Sequence, residues 1–190
     1  MYWVMFSERK NEQDAILSGV PALIEDLDLE FDQGIHITGS LPVIEYEVEE
    51  DDEFNNLTDS LVAPGFNGIL ANERVVKALR DLGANNIQEF PVLLKSINND
   101  QNCSDYMLIN VIGDADIIDY DKSDISLFES GNVRSIDSLS FIDTSNITLH
   151  YIFRLSSCLP IVIAHDKVKQ AFEANNITGF TFYKPEEFSL

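Results

Sequence analysis

The sequence predicts an α/β or α+β protein built on a mixed sheet, and two observations support this prediction. The segments 69–94 and 161–183 both follow the order strand, helix, strand. The N-terminal third contains short stretches in which apolar and acidic residues alternate, as they do in half-buried strands. Strands and helices that follow one another in this way pack as layers around a shared core. We therefore expect one globular unit over residues 1–190, with an acidic, strand-rich subregion at 1–60 and a second region at 61–190.

The two strand–helix–strand units resemble each other over short stretches. In the first unit, the apolar strand 69–71 leads to Asn72, a good helix N-cap, and Gly83 is a plausible C-cap. In the second unit, the strand 162–164 leads to a helix that starts near Asp166. Each helix is followed by an Asn-Asn-Ile motif and then by a further strand. Because the match needs a three-residue gap, both duplication and shared packing physics explain it, and both favour two units that share sheet structure.

Three further strands are predicted outside these units. An apolar run at 106–112 suits a central strand, and Tyr2–Phe6 suits a first strand. Residues 35–38, which are β-branched apart from His36, suit a third.

The alternating stretches of the N-terminal third predict two rows of carboxylates. Because a strand has a period of two residues, the acidic residues of 26–32 would share one face, and so would those of 44–49. The predicted rows, with the acidic turn that follows them, contain Asp26, Asp28, Glu30, Asp32, Glu45, Glu47, Glu49, Glu50, Asp51, Asp52 and Glu53. Like charges that face each other across strands cost about 0.2–1 kcal/mol per pair. Either an electropositive partner uses this surface, or it is an ordinary solvated face.

The net charge of −21 is concentrated in the same region. Residues 11–73 contain 16 acidic residues and no Lys or Arg, whereas residues 74–190 contain 16 acidic and 10 basic residues. A field of this sign repels nucleic acid and anionic membranes, and it speeds association with basic proteins. Solubility alone is a simpler explanation of the same charge.

The cysteines and the N-terminus predict a cytoplasmic protein. Cys103 and Cys158 form no metal or redox pattern, and two isolated thiols suit a reducing compartment. The apolar residues 1–6 are followed by Glu8 without a cleavage pattern, so a signal peptide is not expected. No apolar run approaches the roughly 20 residues that span a bilayer.

An acidic cluster in the second region is the main candidate for chemistry. Its members are Asp114, Asp116, Asp119, Asp121 and Asp124. Clustered carboxylates can hold Mg²⁺ or Ca²⁺, but this spacing fits no calcium-binding loop. The histidines His36, His150 and His165 stand apart, and His165 lies where a helix cap is expected. No nucleophile motif or phosphate-binding loop occurs. We therefore expect no catalytic residue, cofactor or metal, and a solvated loop is the preferred interpretation of the cluster.

The second region resembles a known family. The similar segments are Asn72–Leu94 with its V-x-x-A-L-x-x-L-G…FPV pattern, Tyr106–Asp124, and Ile136–Phe182, which includes the pair Phe153-Arg154. Together with the initial YWVMF, they resemble an immunity-protein family of bacterial polymorphic-toxin systems, over about residues 60–185. The resemblance implies a non-catalytic protein that binds a cognate toxin, and it implies no catalytic residue. This resemblance does not extend to the acidic third.

These observations favour an immunity-type protein that occludes a toxin with a basic surface, and they assign the predicted carboxylate rows to the interface. Two alternatives stay open. One is a metal-dependent hydrolase that uses the aspartates of 114–124, and the other is a scaffold protein without a toxin.

Overall fold

The computed structural model describes residues 1–48, 56–98 and 100–190. Its elements are β1 (Tyr2–Ser7), α1 (Ala22–Asp26), β2 (Ile44–Val48), β3 (Ser60–Leu61), β4 (Ile69–Asn72), α2 (Glu73–Asp81), β5 (Ile87–Ser96), β6 (Asn102–Val111), β7 (Asp114–Ala115), β8 (Asp124–Leu127), β9 (Val133–Ser138), β10 (Ile152–Leu155), β11 (Cys158–His165), α3 (Asp166–Ala174), β12 (Phe180–Tyr183) and a 3₁₀ helix (Pro185–Glu187). Strands outweigh helices and the sheets are mixed, so the fold is α+β, as predicted.

The strands form two larger sheets and a hairpin. Sheet I has the order β12-β1-β11-β10-β7, and sheet II has the order β2-β5-β6-β4-β3. Strands β8 and β9 pair with each other in a separate hairpin. The predicted strands at 2–6 and 106–112 are confirmed, and the second of them, β6, is the central strand of sheet II.

Both predicted strand–helix–strand units are present, and each has a strand inserted between its two strands. In sheet II, β4 and β5 run antiparallel to β6, which lies between them. In sheet I, β11 and β12 flank β1 in the same manner. The expectation that the two units share one sheet is therefore wrong. The local pattern could not reveal this, because the inserted strands come from outside each unit.

The two sheets are joined by one central core. Alternate residues of each strand point to opposite faces, so Met5 and Val162 of sheet I and Ile109 of sheet II enter the central core. Helices α2 and α3 add Val75 and Phe172 to the same core. The opposite face of sheet II carries a second core with the N-terminal third, and the opposite face of sheet I carries a third core with the β8–β9 hairpin. The helices thus lie where the two units meet.

Both helices begin at the predicted positions. The Asn72 side chain accepts a hydrogen bond from the Arg74 amide at 3.1 Å, which caps α2. His165 Nδ1 accepts a hydrogen bond from the Lys167 amide at 3.1 Å, which caps α3. The expected capping role of His165 is confirmed. These caps satisfy backbone donors that a helix leaves unpaired at its N-terminus.

A buried carboxylate connects the two units. Asp59 is 4% exposed and accepts hydrogen bonds from Arg74 Nη1 at 2.7 Å and from the Thr178 amide at 2.8 Å. Next to it, Gly179 has φ +82°, and a Cβ there would lie 2.2 Å from the Ser60 carbonyl oxygen. A side chain at position 179 would therefore separate β3 from the turn before β12.

The N-terminal third departs from prediction at residues 26–32. Instead of a strand, the chain forms α1 and a turn, in which the Leu29 amide donates to the Ile24 carbonyl at 3.0 Å and Asp28 adopts φ +50°. Its backbone bonds stay local while Ile24 and Phe31 are buried against sheet II. Leu23 and Leu27 are four residues apart, a helical spacing that overlaps the alternation, so alternation alone could not distinguish the two.

The strand expected at 35–38 is also absent from the described chain. There the Ile37 amide donates to Gln88 Oε1 at 2.8 Å, and the Ile35 carbonyl accepts from Asn110 Nδ2 at 2.8 Å. Side chains of β5 and β6 thus satisfy backbone groups that a strand would have paired in a ladder. The strand predicted at 44–49 is confirmed as β2 over the residues described.

Candidate functional site

The carboxylates of β2 share one exposed face. Glu45 and Glu47 are exposed, whereas Ile44, Tyr46 and Val48 are buried on the opposite face. This alternation is the one that the sequence predicted. The predicted site residues Glu49, Glu50, Asp51, Asp52 and Glu53 lie outside the described residues.

One basic residue lies beside this row. Lys95 of β5 contacts Glu45 Oε2 at 2.6 Å and is the register partner of Glu47. Residues 11–73 contain no Lys or Arg of their own, but sheet pairing supplies a base from outside the acidic third. Both members of the pair are substantially exposed, and pairs of this kind contribute only about 0–1 kcal/mol. With two carboxylates beside one ammonium, the face remains negative.

Three of the other predicted carboxylates lie together for a different reason. Asp28, Glu30 and Asp32 line a concavity of about 260 Å³, opposite the loop 65–68. The turn after α1 brings them together, whereas the prediction placed them on one strand. Asp26 is exposed at the end of α1 and does not line this concavity.

A larger cleft lies beside β2. It has a volume of about 590 Å³ and is bounded by residues 18–23 on one side and by Pro42, Val43, Glu45–Glu47 and Lys95 on the other. Val20 lines this cleft and also the smaller concavity, so the two sets of carboxylates flank the same loop. We call Asp28, Glu30, Asp32, Glu45 and Glu47 together the acidic concave surface.

Apolar side chains are exposed in the same third of the chain. Leu27, Ile35 and Val43 are each about half exposed, at 49%, 57% and 54%. Val43 lines the larger cleft. Protein interfaces commonly combine apolar anchors, which provide most of the binding energy, with charged residues that set rate and specificity. The N-terminal third offers both kinds of group on neighbouring segments.

A buried arginine attaches the acidic third to sheet I. Arg154 is fully buried; its Nη2 donates to the Phe31 carbonyl and its Nη1 donates to the Leu159 carbonyl at 2.9 Å. Burial lowers the pKa of Arg154 to about 10, and the charge of Asp32 opposes this shift. The residue is still a cation at neutral pH, and it fixes the backbone next to Asp32.

The sequence analysis included Arg154 in the Phe153-Arg154 pair of the family resemblance, but it predicted no contact for the side chain. An arginine within an apolar strand is seldom buried without partners, and this was the available signal. Its partners, Phe31 and Leu159, could not be found by spacing. Because the side chain is enclosed, its role in the described structure is to position the acidic third.

The carboxylates of the second acidic cluster make local contacts with neighbouring side chains. Asp114 accepts a hydrogen bond from the Ser156 hydroxyl, and Asp116 accepts one from the Tyr120 hydroxyl at 3.0 Å. The Lys122 ammonium contacts Asp119 at 2.5 Å and lowers the pKa of that carboxyl. Within residues 1–48, 56–98 and 100–190, no three His, Cys, Asp or Glu residues are arranged to hold a metal ion.

The N-terminal third thus combines a negatively charged surface, which attracts basic groups, with exposed apolar residues. The chain matches the model of the Immunity protein family (Imm11) over residues 8–187 and belongs to that family. The predicted resemblance to an immunity-protein family is thereby confirmed, and the match extends it to the acidic third. No curated protein matches the chain. In the described part of the chain, no helix is long and apolar enough to cross a membrane.

Proposed function

We propose that this immunity-family protein binds a cognate toxin in the bacterial cytoplasm and blocks it by covering its active surface. The acidic concave surface is the proposed contact, and the toxin is expected to present basic residues to it. The observation that carries the proposal is that two concavities, one lined by Asp28, Glu30 and Asp32 and the other by Glu45 and Glu47, both border the loop at Val20. Exposed apolar residues lie on neighbouring segments.

Electrostatics supports this assignment of the surface. The region 11–73 has no Lys or Arg of its own, so its field is uniformly negative apart from Lys95. Such a field steers a basic partner and raises the association rate, whereas the apolar contacts slow dissociation. We propose occlusion as the mechanism, which requires shape and charge and no reacting group.

The proposal predicts a toxin-like reading frame next to this gene, and protection from the toxin that it encodes tests the proposal. The toxin domain is expressed in bacteria together with wild-type protein or with one of two variants. The triple variant combines Asp28→Asn, Glu30→Gln and Asp32→Asn, and the double variant combines Glu45→Gln and Glu47→Gln. We expect each variant to protect less than wild type at equal, low expression.

The matched control removes two exposed carboxylates from another region, by Asp121→Asn and Asp124→Asn. This control is expected to protect as well as wild type. Equal protection by all variants, or loss in the control alone, would remove the acidic concave surface from the interface.

A further inference from the structure

We propose that the cleft beside β2 receives an extended segment of the partner, bearing Lys or Arg at alternate positions, which pairs its backbone with β2 as an added strand. This inference rests on the proposed function and specifies how the partner is held. It concerns the backbone of Glu45 and Glu47, in addition to their carboxylates.

The first observation is that β2 ends sheet II and is only partly covered. On one side it pairs with β5 over all five residues. On the other side the described chain reaches it only at Leu17 and Ser18, where Leu17 forms an isolated bridge with Val48 and the Ser18 amide donates to the Glu47 carbonyl at 3.0 Å. After Ser18 the chain turns away toward α1, and the cleft opens there.

The second observation is the direction of the β2 peptide groups. The bond from Ser18 shows that the Glu47 carbonyl points away from β5. In a strand, groups two residues apart point the same way, so both the N–H and C=O of Glu45 also point toward the cleft. Glu45 thus presents one donor and one acceptor, and Glu47 presents a donor. An edge with such groups is a template for another strand.

The third observation concerns length and chemistry. Five residues of strand extend about 16 Å, so the edge can pair with a short extended segment. An incoming strand would place alternate side chains next to Glu45 and Glu47, of which only Glu45 contacts Lys95 in the described structure. The complementary residues are Lys or Arg at alternate positions. Val20 and Val43 line the cleft and would contact the apolar residues between them.

The charge also argues against pairing with β2 of a second copy of this chain. A second copy of this chain would bring Glu45 and Glu47 against their own counterparts, which is repulsive. The occupant is therefore a basic segment of another protein.

The edge is tested on the full chain with Glu45→Pro and its matched control Glu45→Gln. Both remove the carboxylate, but only proline removes the N–H that faces the cleft. Because this N–H points away from β5, proline leaves the ladder with β5 paired. We expect Glu45→Pro to bind the co-encoded toxin roughly tenfold more weakly than Glu45→Gln, with similar thermal midpoints.

A second measurement on wild-type protein applies even if the proline variant unfolds. The probe is the capped peptide Lys-Val-Lys-Val-Lys-Val-Lys, compared with its analogue N-methylated at alternate residues, which has the same charge. We expect the parent peptide to slow hydrogen exchange at the Glu45 and Glu47 amides, and the methylated peptide to bind roughly tenfold more weakly.

Equal binding of the two peptides, no binding at millimolar concentration, or unchanged exchange at both amides would overturn strand addition. These results differ from a failure of the proposed function. If strand addition alone is wrong, the double variant with Glu45→Gln and Glu47→Gln still protects less than wild type. The single variants Glu45→Pro and Glu45→Gln then bind the toxin equally well. If the surface itself is wrong, the charge variants also protect normally.

Discussion

The two strand–helix–strand units share one plan, and they differ at the strand that closes each sheet. In sheet I, β12 is the terminal strand. Its counterpart in sheet II is β5, and beyond β5 lies the additional acidic strand β2. Strand β2 brings with it the cleft and one end of the acidic concave surface. The shared plan therefore provides the scaffold, and the proposed function is placed where the two units differ.

The hydrogen bonds between regions show how the additional part is held. The acidic third packs on the outer face of sheet II, and it is also attached to sheet I through Arg154. The two units are attached to each other through Asp59. Arg154 fixes the backbone next to Asp32, and Asp59 connects the two units, so breaking the two connections separately tests the comparison.

The largest effect is expected at Arg154. Replacing it by Met keeps much of the volume but leaves the Phe31 and Leu159 carbonyls without their donors. We expect a loss of about 3–5 kcal/mol in the free energy of unfolding, because buried charged donors are lost together. Urea denaturation followed by far-UV circular dichroism measures this loss. A change below about 1 kcal/mol would show that the hydrogen bonds of Arg154 contribute little to holding the acidic third.

A smaller effect is expected at Asp59. In Asp59→Ala, the Arg74 guanidinium and the Thr178 amide lose their acceptor, and we expect a loss of about 2–3 kcal/mol. The exposed pair Lys77–Asp81 provides the control, since Asp81→Ala should cost about 0.5 kcal/mol or less.

Scanning calorimetry of the wild-type protein should show one transition, because the two units share the central core. Two separate transitions in wild-type protein would contradict a single unit.

The smallest effect concerns His165 and pH. Burial, followed by the N-terminal amine and Lys167, lowers the pKa of His165, and Asp166 opposes this. The folded chain therefore takes up the proton at lower pH than the unfolded chain. The contribution of this residue is complete above the ordinary pKa of 6.5 and decreases as pH falls from there to the lowered folded value.

The variant His165→Asn keeps a capping side chain but does not titrate. We expect wild type to lose about 0.5 kcal/mol or less relative to this variant as pH falls through that window, because solvent reaches the partly buried ring and screens its charge. Thermal melts of both proteins at several pH values measure the difference. If the stability difference between the two proteins does not vary with pH, the titration of His165 does not contribute to stability.

The sequence predicted elements well where local chemistry was decisive. Asn72 and His165 cap the helices as expected, and the alternation from Ile44 to Val48 gave β2 and its exposed carboxylates. The prediction was wrong at 26–32, where alternation and helical spacing coincide. It also could not find Lys95 beside Glu45, because sheet pairing across 50 residues determines that contact.

The candidate site shows the same limit. Charge identified the region, and the structure brought Asp28, Glu30 and Asp32 near the loop that also borders β2. The position of these three carboxylates depends on the turn at Asp28 and on the bond from Arg154 to the Phe31 carbonyl. Neither the turn nor this distant contact could be predicted from the neighbouring residues. The family match confirms the class of protein and is silent about the interface.

The central claim is that the acidic concave surface receives the toxin, and association rates test it most directly. Stopped-flow mixing with the co-encoded toxin is performed at low and high salt for three proteins. They are the wild type, the double variant that combines Glu45→Gln with Glu47→Gln, and the control that combines Asp121→Asn with Asp124→Asn. We expect the first variant to associate several-fold more slowly at low salt, and the difference to shrink at high salt, where exposed charges are screened within roughly 8–10 Å. The control should match wild type. Equal rates for all three proteins at both salt concentrations would contradict the claim and leave the carboxylates as a solubilising face.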